Sequence, residues 1–186
     1  GHPDLTALER SFDALAKRHD ALRTIVVAIE GEAYQKVLSE SKVEWRVIDL
    51  EDLSSGIARD AEARRFCAAE AQRPFDLMRG PLMRVCLLRL NQNDYQLLVT
   101  VHHLVFDGWS VGVLCRELSH FYEGFVSGRG ISMTPLRIQY GDYAQWQRAR
   151  LEGDGLREQL EYWHSQLEDF APLKLPTDRP RPRVRS

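Results

Sequence analysis

Two apolar, β-branched runs, residues 82–90 and 95–101, are separated only by the polar connector Asn91-Gln92-Asn93-Asp94. A connector this short suits an antiparallel hairpin. The second run leads straight into His102-His103, so the same hairpin would carry two adjacent imidazoles to one end of a sheet. After Gly108, Ser110 can cap a helix whose apolar positions Val111, Leu114, Leu118, Phe121 and Phe125 step by three and four, ending near Gly128 and Gly130. Strand, polar loop and helix therefore frame the histidines.

The flanking segments follow the same periodicities. Asp4 or Thr6 can cap a first helix with Leu5, Leu8, Phe12, Leu15 and Leu22 on one face, and Thr6 with Glu9 fits a capping box. Residues 24–29, 34–38 and 43–48 are strand candidates, the first two joined by Glu30-Gly31-Glu32, and together they predict a three-stranded patch. An alanine- and arginine-rich helix is predicted over 57–72, stopped by Pro74. Two further helices, 140–151 and 156–170, carry Tyr143, Trp146, Leu160, Trp163 and Leu167 at helical spacing, read as packing groups. The proline-rich segment 172–186 reads as an extended strap. Interleaved helices and strands place the chain in the α/β (α+β) class, a mixed β-sheet flanked by helices.

Composition narrows function by exclusion. With 186 residues and 44% hydrophobic content the chain can bury one good core. A formal net charge of −2 gives no global field to draw in nucleic acid or anionic lipid, so specificity has to come from a local site. Arg179, Arg181, Arg183 and Arg185 read as a solvated linker rather than a nucleic-acid contact. Cys67, Cys86 and Cys115 are odd in number and far apart, which fits neither a disulfide framework nor a zinc site; they read as reduced core thiols of a cytoplasmic protein. Neither a secretory leader nor a membrane-spanning run is expected.

His102-His103-Leu104-Val105-Phe106-Asp107-Gly108 is the one place where titratable groups crowd against apolar surface. Successive residues of an extended segment point to opposite sides, so only one of the two histidines can face a given cleft. Gly108 would let the chain turn sharply, and Asp107 can fix the loop by accepting backbone N–H bonds or pairing with an arginine. Taken from the residues alone, the pattern admits a structural loop, a metal site or catalysis. Metal binding lacks a third ligand at suitable spacing. Ser110 as nucleophile lacks a third orienting group, whereas as a helix cap it already has a sufficient role.

The run Val99-Thr100-Val101-His102-His103-Leu104-Val105-Phe106-Asp107-Gly108-Trp109-Ser110 resembles the HHxxxDGWS signature of nonribosomal peptide synthetase condensation domains, members of the chloramphenicol acetyltransferase-like superfamily. Other segments match the same family in the same order. Arg18-His19-Asp20-Ala21-Leu22-Arg23-Thr24 is similar to its RHEALRT helix end, and Pro74-Phe75-Asp76-Leu77 with Gly80-Pro81-Leu82 to its PFDL and GPL segments. Tyr140-Gly141-Asp142-Tyr143-Ala144-Gln145-Trp146-Gln147 resembles YADYAxWQ, and Leu175-Pro176-Thr177-Asp178-Arg179-Pro180-Arg181-Pro182 resembles LPTDRPRP.

The resemblance implies one lobe of a two-lobed fold: residues 1–171 as the N-terminal lobe lacking the family's first motif, and 172–186 as the strap toward an absent C-terminal lobe. It implies amide-bond formation between a carrier-bound aminoacyl or peptidyl thioester donor and an aminoacyl acceptor, with His103 as the catalytic histidine, acting as general base or by hydrogen-bonding the amine. His102, Asp107 and Gly108 would support the loop, Asp107 through an arginine contact. Trp109, Ser110 and Arg23 are candidate tunnel or motif residues, and no metal is expected. No cofactor is expected on the chain itself; phosphopantetheine arms of donor and acceptor carrier proteins would bring the substrates, and an adenylation domain would be a neighbour. His102 argues against the heterocyclising branch, and Asp107-Gly108-Trp109-Ser110 looks like the subtype joining two L-residues. The expected isolated fragment is inactive. The alternatives are an epimerisation domain, a coenzyme A-dependent acyltransferase lobe, and a non-catalytic carrier-docking module.

Overall fold

Strand β4 (Met83–Asn91) organises the structure, because both of its faces are covered. Its side chains alternate: Met83, Val85 and Leu87 join one core cluster, while Cys86 and Leu88 join another on the opposite face. In this computed structural model, which describes residues 1–40, 42–53, 56–171, 176, 178 and 179, β4 sits at the centre of a mixed sheet in the order β3-β4-β5. Strand β5 (Asp94–Val101) pairs with it antiparallel, Asn91 opposite Asp94, so the expected hairpin forms around Gln92 and Asn93. Strand β3 (Glu44–Asp49) pairs with it parallel on the other side.

That last pairing corrects the sequence reading. The three early strands do not form one patch: β1 (Thr24–Ile29) and β2 (Glu32–Val37) make an isolated antiparallel hairpin, closed by Glu30 and Gly31 with φ of 53° and 86°. The third joins the central sheet instead. Helix α2 (Gly56–Gln72) explains why, since parallel neighbours need a long crossover and α2 supplies it between β3 and β4.

Helix α1 (Leu5–Arg18) begins at Asp4, whose Oδ1 accepts from the Ala7 N–H at 2.8 Å; Thr6 therefore lies inside the helix rather than in a box with Glu9. Its apolar face buries Leu8, Phe12 and Leu15 against β4 and against Phe121 of α3 (Gly108–Ser127). The stripe breaks at His19, which turns extended, and a short 3-10 helix over Asp20–Arg23 buries Leu22 in the same core. On the opposite face of the sheet, Ala63 with Phe66 and Cys67 of α2 cover Cys86 and Leu88. Helix α3 ends at Gly128, in the left-handed conformation with φ 66°. The result is a mixed α/β fold with helices on both faces of the sheet.

The chain divides into two compact units, the first Gly1–Tyr143 and the second starting at Ala144. Helices α4 (Tyr140–Arg150) and α5 (Asp154–Leu167) match the predicted positions. Their aromatics do not behave as core: Tyr143, Trp146, Leu160, Trp163 and Leu167 are all exposed. Nor are all three thiols in the core, since Cys86 is buried and Cys67 partly so, but Cys115 is exposed on α3. Beyond residue 171 only Pro176, Asp178 and Arg179 are described, so the expected strap lies outside the described residues. No helix among the described residues is long and apolar enough to cross a membrane.

Candidate active site

The two histidines separate as soon as β5 ends. The His102 backbone N–H still donates to the Leu82 carbonyl at 3.0 Å, continuing the sheet edge, and its carbonyl accepts from the Val105 N–H at 3.1 Å, closing a turn. The His102 ring folds back into that turn. Its Nδ1 accepts the Leu104 N–H at 3.0 Å, and its edge meets the Phe75 ring at a centroid distance of 5.7 Å. A backbone N–H can only donate, so Nδ1 of His102 is the unprotonated nitrogen. With His102 bound to the scaffold, His103 is the one of the pair that lines a cavity of about 420 Å³, and its ring makes no hydrogen bond among the described residues.

Phe75 is itself held from behind. The Arg84 guanidinium stacks over it at 3.7 Å, while its N–H groups reach Glu70 Oε1 at 2.6 Å and the carbonyls of Glu70, Arg73 and Pro74. Arg84 and Glu70 are 5% and 6% exposed, so this ion pair works in a poorly solvated layer between α2 and β4, where each charge needs the other.

On the far side of the loop, Asp107 is the N-cap of α3. Its Oδ1 accepts from the Ser110 N–H at 2.9 Å and from the Ser110 hydroxyl at 2.7 Å, while Ser110 Oγ accepts from the Asp107 N–H at 3.3 Å. The cap is therefore Asp107, with Ser110 as third residue of the helix completing a capping box, where the sequence pointed to Ser110 itself. The Ser110 hydroxyl, then its backbone N–H, hold the Asp107 carboxyl below the usual carboxylate range. No arginine among the described residues pairs with Asp107, whose Oδ1 is held by Ser110. Gly108 is the first residue of α3 without a positive φ, and a Cβ there would meet nothing, so the loop does not turn on glycine's freedom.

A model of the family described as "Condensation domain" matches residues 1–186. The chain belongs to the condensation-domain family. Among sequence relatives, malpinin synthetase of Mortierella alpina is 44% identical over 184 residues, covering 98% of this chain and 2% of the synthetase. Phosphinothricin tripeptide synthetase PhsC of Streptomyces viridochromogenes is 43% identical over 186 residues, covering 99% of this chain and 17% of its own. The chain thus spans a small piece of each relative. Among solved structures, the X-domain from teicoplanin biosynthesis aligns with a TM-score of 0.82 and 30% identity over 99% of this chain and 40% of its own. The epimerization domain from the third module of tyrocidine synthetase B aligns at 0.80 and 27%, over 94% of this chain and 39% of its own.

In this condensation domain the cavity collects some of the expected residues and not others. His103, Asp107, Trp109 and Ser110 line it, with Trp109 87% exposed. Its apolar wall comes from Leu15, Leu22, Val113 and Leu114 of α1, the 3-10 turn and α3. Arg23 is elsewhere: its guanidinium donates to the carbonyls of Ala16, Leu38 and Ser39 and pairs with Asp20, clamping the end of β2 to the 3-10 turn. Among the cavity residues to which the sequence gives no site role is His19, which the resemblance places only in a helix-end motif. Its partner Glu117 lies nearly a hundred residues away on α3, and no local pattern announces that contact.

Proposed function

We propose that this condensation domain forms amide bonds, joining an acyl group held as a thioester on one carrier protein to the amine of an aminoacyl thioester on another. The amine nitrogen attacks the thioester carbonyl, a C–N bond forms, the C–S bond breaks, and the departing thiol carries the proton the amine gives up. The observation that carries this reading is the division of labour between neighbours: His102 is bound into the scaffold through Leu104 and Phe75, and His103 is left with its ring in the cavity. There it can take the amine proton, or hydrogen-bond the amine and steady the tetrahedral intermediate. General-base help is worth about 10²–10⁴-fold, and good positioning about 10⁵–10⁸ M of effective concentration, so holding the two thioesters together contributes more than the imidazole does.

The substrates would arrive on phosphopantetheine arms of donor and acceptor carrier proteins, with a second lobe supplying the opposite wall and an adenylation domain as neighbour. Asp107-Gly108-Trp109-Ser110 favours joining two L-residues. The test is an intact domain with both carriers loaded: a new amide is expected, and His103→Ala lowers turnover by about 10²–10⁴-fold. A variant at the wild-type rate removes His103 from the mechanism. The likeness to an epimerization domain favours a second reading, in which the product would be an inverted α-carbon and no new amide. The chain by itself, without the opposite wall, should bind a loaded carrier weakly and make no peptide.

A further inference from the structure

Glu117 of α3 is 7% exposed, a carboxylate that burial would penalise unless a countercharge were at hand. It has two partners on one oxygen: Arg18 Nε at 3.2 Å and His19 Nε2 at 2.6 Å. Arg18 alone balances the charge, and it is anchored further by donating from Nη1 to the Thr134 carbonyl at 2.8 Å. The histidine is therefore surplus to the ion pair, yet it is the more tightly held of the two.

Its backbone is fixed as well. The side-chain amide of Gln139 straddles it, donating to the Arg18 carbonyl at 3.0 Å and accepting the Asp20 N–H at 3.1 Å, one bond on either side of His19. This imidazole, pinned at ring and backbone, lines the same cavity as His103 and keeps 24% of its side chain accessible. A ring nitrogen bonded to a carboxylate carries the proton, so neutral His19 presents Nδ1 as a lone-pair acceptor. Among the described residues nothing donates to that nitrogen.

We infer that His19 is a substrate-binding residue of the cavity, its Nδ1 accepting a hydrogen bond from the amine N–H of the aminoacyl acceptor, with Glu117 holding the ring in the tautomer and orientation this requires. The inference rests on the amide-forming reading above and extends it to the acceptor side. His103 and His19 then share the attacking amine, His103 acting on one N–H and His19 accepting the other, which leaves the nitrogen lone pair for the carbonyl.

Two substitutions divide the ring by function. His19→Gln places its amide where Nε2 was, so the Glu117 contact survives and the Nδ1 acceptor is lost; His19→Asn keeps an acceptor near Nδ1 and loses Glu117. The probe is L-leucyl pantetheine amide, a non-hydrolysable stand-in for an acceptor thioester, titrated into the intact domain labelled at histidine. The expected results are a shifted Nδ1 resonance for His19 and affinity about tenfold weaker in His19→Gln at an unchanged melting temperature, with KM for the acceptor rising more than kcat falls. An unmoved Nδ1 resonance, or wild-type affinity in His19→Gln alongside a destabilised His19→Asn, would overturn the inference and leave His19 a fastener between α1 and α3. A wild-type domain that binds the probe through Nδ1 but makes no amide once a donor-loaded carrier protein is added sinks the amide-forming reading while the binding role stands.

Discussion

Asp107 is the residue whose chemistry is most exposed to test, because its carboxylate does one identifiable thing: it accepts both the N–H and the hydroxyl of Ser110. Those donors favour the ionised form and depress its folded pKa below the unfolded value of about 3.9. The sign follows directly. Stabilisation from the cap is complete above the unfolded pKa and disappears as pH falls through the lower folded one, so the loop keeps its cap at neutral pH and loses it only in strong acid. The Ser110 amide resonance should accordingly titrate with an apparent pKa below that of a free aspartate and stop titrating in Asp107→Asn; a titration at or above the ordinary value contradicts the assignment. At this scale the sequence marked both partners of the helix cap and exchanged their places. Asp107 and Ser110 were both singled out, but which of the two caps the helix depends on where the first turn starts, and helix starts are uncertain by a residue or two when read from pattern alone.

Among the elements, the layer between α2 and β4 bears most directly on the site. Arg84 joins a buried carboxylate, three carbonyls and the Phe75 ring, and Phe75 in turn backs His102. Removing one partner of a buried ion pair costs about 3–5 kcal/mol. Arg84→Met should fall near the lower end, about 3 kcal/mol, because Arg73 still reaches Glu70 Oε1 at 3.2 Å. Urea unfolding with an unchanged m-value measures it, and a loss below about 1 kcal/mol would mean the pair is not shielded from water as drawn. Arg84→Lys restores the charge without the fork and should recover only part of the loss. Apolar patterning placed the strands involved here, and alanine- and arginine-rich composition with the stop at Pro74 placed α2, yet neither gave their partners. That β3 lies beside β4 and not beside β2 follows from the crossover through α2, and a single strand's apolar pattern reads the same in either sheet.

For the molecule as a whole, the distribution of tryptophan gives a compact check. Trp109, Trp146 and Trp163 are 87%, 56% and 57% exposed, whereas Trp45 packs on the core with its ring 6.1 Å from Phe12. Acrylamide should quench the chain's emission in two classes, the shielded one vanishing in Trp45→Phe; a single, uniformly shielded class would contradict the exposed rings of α4 and α5. The helical spacing of Trp163, Leu160 and Leu167 correctly predicts a helix and wrongly predicts a buried face, since an apolar stripe fixes a period but not what covers it. The α/β class, the β4-β5 hairpin and the histidine pair at its end were all legible from the residue order, because alternation, a short polar connector and a run of adjacent residues are local properties. Folding had to settle the rest: which histidine lines the cavity, that Ser110 bonds the Asp107 Oδ1, and that His19 meets Glu117. Each of these depends on surfaces brought together from distant parts of the chain, and no window of neighbouring residues contains both sides of such a contact.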